Sequence, residues 1–266
     1  MNNAISYAIE RVERLVPSPI LRQTFISNLQ YKTRIAVSVS SRILEEVIQK
    51  RVLPDINVIG GRTAFIPLDK CIVKERGLNF SVYHVPKELT GGLSITSVHE
   101  LHYGGAFGLI DSPLLGTGSN AGDAAQQQVD ALSGIPFTSE GRTSLLNDNT
   151  FMVEGAPNLG MTNSIRVVLE YDTGLTGLNA RSLHDFAKLV TLAVKAYIYT
   201  HNVVAIDMGQ VKAGAMLGTY REIVDSYSDA HEEYEEYLTT HWAKVDKLND
   251  VETRRRLINL AVGRAM

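Results

Sequence analysis

The chain has 266 residues, 44% of them hydrophobic and 21% charged, with 26 Lys+Arg against 29 Asp+Glu and one cysteine. That balance excludes a chain disordered throughout, because apolar content is too high and net charge too low. It also excludes a nucleic-acid binder working by bulk positive charge, and the single Cys71 excludes a disulfide framework or a multi-cysteine zinc site. The first 21 residues carry acids without a continuous apolar core, so no secretory signal is expected. No run approaches the ~18 apolar residues of a membrane span. A soluble protein made in a cytoplasm is the expectation.

The N-terminal part reads as helical. A short helix is predicted over Ile5 to Leu15, stopping before Pro17 and Pro19. A longer one is predicted from Gln30 to Arg51, because Ile35, Val39, Ile43 and Val47 recur every fourth position. Leu53-Pro54 should end it, since a residue before proline is pushed out of the α region. From Asp55 to Pro86 the runs INVI, RTAFIPL, CIVKE and LNFSVYHV read as short strands of a small antiparallel meander or a hairpin pair, punctuated at Gly60-Gly61, Leu68-Asp69 and Arg76-Gly77. After Gly91-Gly92, LSITSVHELHY reads as a further strand.

Residues 104 to 160 hold ten of the 21 glycines, mixed with Ser, Thr, Asn and Pro, and read as one long loop containing a short helix from Ala124 to Leu132. A strand follows at Ser164–Tyr171. Ser182 and Asp185 have capping-box spacing ahead of a stripe formed by Leu183, Phe186, Ala187, Val190, Val194, Tyr197 and Ile198. A break is expected around His201–Gly209. Leu217, Tyr220, Val224, Tyr227, His231, Tyr234 and Leu238 then alternate by three and four, as on one long helix, and a last helix is predicted from Asp250 to Arg264. The expected fold is α+β, with terminal helices packed around a mainly antiparallel β-rich centre that carries the long Gly-rich loop. Three regions follow: helical 1–54, β-rich 55–175 and helical 176–266.

Motifs for chemistry are weak. His99 and His102 stand three apart in a strand-like run, whereas two zinc-binding histidines on a helix stand four apart, so ordinary strand residues are the better reading. The segment from Gly209 to Gly218 lacks the Gly-Lys-Ser/Thr of a phosphate loop. Gly214 and Gly218, four apart, fit close approach of another backbone instead. Gly116 to Gly122 contains a serine without a nucleophile elbow, and neither His184 with Asp185 nor His241 with Asp246 is tied to it by the sequence. Cys71 reads as a buried structural thiol. No catalytic residue, metal ligand or cofactor is expected.

Charge patterning is more informative. Thr219 to His241 carries seven acids (Glu222, Asp225, Asp229, Glu232, Glu233, Glu235, Glu236) against Arg221 alone. Trp242 to Met266 carries six bases (Lys244, Lys247, Arg254, Arg255, Arg256, Arg264) against three acids. Two readings stand side by side: solvated helix faces, or an acidic helix that meets a basic one within the chain or on a neighbouring copy. Exposed pairs add on the order of 0–1 kcal/mol each, yet they set register and partner choice. Tyr220, Tyr227, Tyr234 and Tyr237 accompany the acids, and tyrosine suits half-wet interfaces as well as cores. The interface candidates are therefore Tyr220, Tyr227, Glu232, Glu233, Glu235, Glu236, Arg254, Arg255 and Arg256.

The stretch VTLAVKAYIYTHNVVAIDMGQVKAGAMLGTYREIVDSYSDAHEEYEEYL resembles the last third of neck and head–tail connector proteins of tailed, myovirus-like bacteriophages. There a helix, a short break, a glycine-containing turn and a long acidic helix follow in that order. The resemblance covers roughly residues 183 to 238. It implies a non-enzymatic virion structural protein, made in the host cytoplasm, whose copies form a ring in the neck. It implies as partners the portal, an adaptor, the tail tube or a sheath terminator, with no membrane and no sequence-specific nucleic acid. Other readings are another particle position (tail terminator, sheath-associated, baseplate or minor capsid), a hydrolase using the Gly-rich segment as an active-site loop, and a cellular interaction module.

Overall fold

The structure is a computed structural model that describes residues 4–26, 38–102, 142–155, 163–207 and 217–249. The chain divides into two compact units. One is discontinuous and helical, Met1–Arg62 with Tyr171–Met266; the other, Thr63–Glu170, contains the strands. The fold is α+β with antiparallel strand pairing, as the sequence pattern indicates.

In the helical unit, α1 (Ala4–Leu15) and α2 (Ser18–Phe25) are separated at Pro17, which precedes the first turn of α2. Helix α3 (Val39–Arg42) starts at Ser38, whose Oγ accepts the Ser41 N–H at 3.1 Å. It runs into a π-helical stretch, Ile43–Val52, and then α4 (Leu53–Ile59). The predicted stop at Leu53-Pro54 is therefore corrected. The Leu53 N–H donates to the Ile48 carbonyl, five residues back, and Pro54 falls in the first turn of α4, where its missing N–H costs little. The INVI run is corrected with it: Ile56 to Ile59 is helix, with Ile56 buried and Val58 exposed, and the segment ends where Gly60 N–H meets the Ile56 carbonyl.

Helix α5 (Leu183–Asp207) is the centre of this unit, packed against α1, α2 and the π-helical stretch. Phe186, Ala187, Leu189, Val190, Ala193, Val194 and Ile198 are all fully buried, so more than one stripe of the helix is covered. Within the expected break at His201–Gly209 the helix continues as far as Asp207, and Met208 and Gly209 lie outside the described residues. Asn202 explains this. Its amide donates to Thr24 Oγ1 (2.8 Å) and the Ile198 carbonyl (2.7 Å), and its Oδ1 accepts from Tyr220 (2.8 Å), so a polar residue stays inside the packing. The expected serine cap is also different: Ser182 Oγ donates to Asn249 Oδ1 at 2.6 Å instead of closing a capping box.

The long helix expected over 217–238 is two helices, α6 (Leu217–Asp225) and α7 (Ala230–Tyr237), each packed against α5. The turn between them has three-residue hydrogen bonds (Tyr227 N–H to Val224 O, Ser228 N–H to Asp225 O), and Ser226 Oγ donates to the Ile223 carbonyl at 2.6 Å. A serine that satisfies a backbone carbonyl competes with helix continuation. A π-helical turn, Leu238–Trp242, and α8 (Ala243–Asn249) follow. The predicted helix Asp250 to Arg264 and the predicted helix Ala124 to Leu132 lie outside the described residues.

The strand unit contains β1 (Arg62–Pro67, beginning at the unit boundary), β2 (Ile72–Arg76), β3 (Phe80–His84), β4 (Ile95–His102), β5 (Arg142–Asn147), β6 (Thr150–Glu154) and β7 (Ser164–Leu169). They form one sheet in the order β1-β7-β4 and another in the order β2-β3-β6-β5. The loop expected over 104–160 is thus corrected at 142–155, which is an antiparallel hairpin turning at Asp148-Asn149. Asn149 has φ 52°, is almost fully buried, and accepts the Ile95 N–H on its Oδ1 at 2.9 Å, while its carbonyl takes the Val85 N–H at 2.8 Å. One turn residue therefore joins β6 to the end of β3 and the start of β4. A bulge at His99 in β4 leaves the His99 carbonyl to accept Thr143 Oγ1 of β5 at 2.8 Å, which ties the two sheets together. The core between them is Ile66, Leu68, Tyr83, Val85, Leu101, Phe151, Val153, Ile165 and Val167.

Candidate functional site

The interface candidates separate cleanly by face. On α6, α7 and the turn between them the acids Glu222, Asp225, Asp229, Glu232, Glu233, Glu235 and Glu236 are all exposed. The tyrosines of the same segment point the other way: Tyr220, Tyr227, Tyr234 and Tyr237 are each less than 9% exposed. Tyr220 and Tyr227 are therefore core residues, and the outward surface is carried by the carboxylates. Arg254, Arg255 and Arg256 lie outside the described residues.

Each tyrosine is held by a particular partner. Tyr220 Oη donates to Asn202. The Tyr227 ring lies under Lys195 Nζ at 5.3 Å, and Tyr237 lies under Lys188 Nζ at 4.6 Å. Tyr237 Oη donates to Asp185 Oδ1 at 3.1 Å, and burial together with the Asp185 charge pushes its phenol up to about 12. Tyr234 is the deepest. Its hydroxyl donates to Asp55 Oδ2 at 2.6 Å, 179 residues away in sequence, and Arg51 stacks on its ring at 4.4 Å. Burial, and then the hydrogen bond to Asp55, hold its phenol far above the ordinary range. Arg51 also donates to His231 Nδ1 at 2.8 Å and lies 3.9 Å from Glu235. Seven-residue spacing from Tyr220 through Tyr227 to Tyr234 keeps the rings on one side despite the turn at Ser226–Asp229.

The weaker motifs resolve individually. β4 is a strand, so His99 and His102 do not share a helix face, and among the described residues no group of His, Cys, Asp and Glu is placed to hold a metal ion. Burial, and then the Asp69 charge, raise the Cys71 thiol to about 11, which suppresses the thiolate a nucleophile needs. Arg11 donates to His184 at 3.0 Å, Asp185 serves Tyr237, and Asp246 serves Tyr171, so neither histidine–aspartate pair forms a relay. A Cβ placed on Gly218 would meet open space, which corrects the close-packing expectation there; Gly214 and the segment Gly116 to Gly122 lie outside the described residues. No described helix is long and apolar enough to cross a membrane.

What sequence reasoning missed are the acids on other elements that receive the tyrosine hydroxyls: Asp55, Asp185 and Asp246. Their signal was present only as charged residues within apolar helical stretches. A second miss is the group of exposed apolar side chains in the strand unit, Ile72, Leu78, Leu145 and Leu146.

These features define an α+β chain whose most distinctive surface is an acidic helical face backed by buried tyrosines. The profile of a family of unknown function (DUF7484) matches residues 2–264, and the chain belongs to that family. No curated protein and no solved structure matches it.

Proposed function

We propose that this chain is a non-enzymatic structural protein of a tailed-phage particle, assembling as a ring in the neck that joins the head to the tail. The observation that carries this reading is the division of α6 and α7 into an outer face of seven exposed acids and an inner face of buried tyrosines. An exposed surface of mostly one sign, in which Arg221 pairs with Asp225 at 3.6 Å, favours a partner of the opposite sign. The chain's own bases after Trp242, with Lys244 and Lys247 exposed on α8, supply that sign, and a head-to-tail match between identical copies closes into a ring. Exposed Ile72, Leu145 and Leu146 on β2 and β5 add apolar surface of the kind subunit contacts cover.

The mass of the full chain in solution, followed across a concentration series, tests the reading. A closed oligomer is expected, dissociating when Arg254, Arg255 and Arg256 are replaced by Glu. A monomer at every concentration, or an oligomer indifferent to that replacement, contradicts it.

A further inference from the structure

The chain passes between its two units twice, after Arg62 and before Tyr171, and the helical-unit side of both passages converges on α8. Tyr171 is held twice: its N–H donates to Asn57 Oδ1 of α4 at 2.8 Å, and its hydroxyl donates to Asp246 Oδ1 of α8 at 2.7 Å. The other passage meets the same carboxylate. Gly60 packs so closely on Asp246 that a Cβ added at Gly60 would fall on the carboxylate itself. Asp246 therefore fills the space left by a missing side chain on one passage while it accepts a hydrogen bond from the other. α8 is fixed at its far end, where Asn249 Oδ1 accepts Ser182 Oγ at 2.6 Å, and at its near end by the fully buried Trp242. At the first passage, Gly177 leaves room for the Arg62 side chain, whose Cδ lies 3.0 Å from where a Cβ would stand.

We propose that α8 is a latch on both passages, with Asp246 as its positioning residue, so that displacing α8 loosens the chain at Gly60–Arg62 and at Tyr171 together. Asp246 closes over Gly60 and accepts from Tyr171 with a single carboxylate, so withdrawing that carboxylate acts on both passages at once. The inference concerns how the fold is held and stands whether or not the chain forms a ring.

Hydrogen exchange on the full chain, read at peptides covering 57–63 and 168–173, tests it. Asp246→Ala is expected to speed exchange about tenfold in both peptides, as loss of one partly buried hydrogen bond does, while α1 and α5 stay protected. Asp246→Asn, which keeps an acceptor, is expected to restore most of the protection. Tyr171→Phe removes the hydroxyl without disturbing Gly60 and is expected to loosen 168–173 alone. Faster exchange at only one passage in Asp246→Ala overturns the latch. So does a loss of protection throughout α1 and α5, which would make Asp246 a support of the whole core.

Discussion

The two units solve the same problem by different means. In the strand unit, backbone ladders join both chain neighbours (β2-β3, β5-β6) and distant segments (β3-β6, β4-β7) and supply most of the polar contacts. Side chains add to the ladders locally, among them Asn149 at the turn, Thr143 at the bulge, His84 on Thr150, and Arg166, paired at 2.9 Å with Glu100 directly across the ladder. In the helical unit, helices satisfy their own backbones, and segments far apart in sequence must be joined by side chains. Tyrosine hydroxyls do that, reaching Asp55, Asp185 and Asn202 from other helices and Asp246 from Tyr171 in the segment after β7. A discontinuous unit needs long, flat side chains with a polar tip, because such a residue fills the core and still finds a partner.

The largest effect expected from breaking this contrast is in the helical core. Trp242→Ala removes a fully buried ring that packs beside Phe186 at 6.1 Å, and is expected to cost about 3–5 kcal/mol, lowering the melting of α-helical signal. In the strand unit, Asn149→Ala is expected to cost roughly 2–3 kcal/mol, because it strands the Ile95 N–H and puts alanine at positive φ. Asn149→Gly, which relieves only the φ, should recover part of that loss; thermal melts of both variants separate the two contributions. Tyr234→Phe is smaller, about 1–2 kcal/mol, since the ring stays and only the bond to Asp55 is lost.

Alkaline pH probes together the three tyrosines bonded to carboxylates, Tyr171, Tyr234 and Tyr237. Tyr171 and Tyr234 are held above the ordinary phenol range and Tyr237 sits at about 12, so each binds its proton more tightly in the folded chain. Their contribution is complete below pH 10; that of Tyr237 is lost as pH rises from 10 through about 12, and those of Tyr171 and Tyr234, raised further, continue to be lost above it. Ellipticity at 222 nm should therefore fall in step with tyrosinate absorbance at 295 nm. Ionisation of all eleven tyrosines near pH 10 with the helices intact would show that these three phenols are not buried as described.

Much of the fold is legible in the sequence. The stripe from Phe186 to Ile198 and the ending of α1 before Pro17 follow from periodicity and proline chemistry. What is not legible has local causes. Pro54 reads as a stop unless the i→i+5 bonding before it is known. β5 shows no alternation because nearly all its side chains are exposed, so Arg142–Asn147 merges into the glycine-rich stretch. Of the candidate site, the acidic face is visible as composition. The direction of the tyrosines is not, since seven-residue spacing serves a core and a contact surface equally well. Their acid partners are invisible because 52 to 179 residues separate each pair.

The smallest effect on stability bears most directly on the central claim, that the outer acids serve assembly and the inner tyrosines serve the fold. Replacing Glu232, Glu233 and Glu236 with Lys should leave the melting temperature nearly unchanged, because exposed substitutions usually stay within about 0.5 kcal/mol. Solution mass across a concentration series, measured on this variant beside the unaltered chain, is the deciding measurement. The account predicts an oligomer for the unaltered chain and a folded monomer for the variant; equal masses for the two, with both folded, would contradict it.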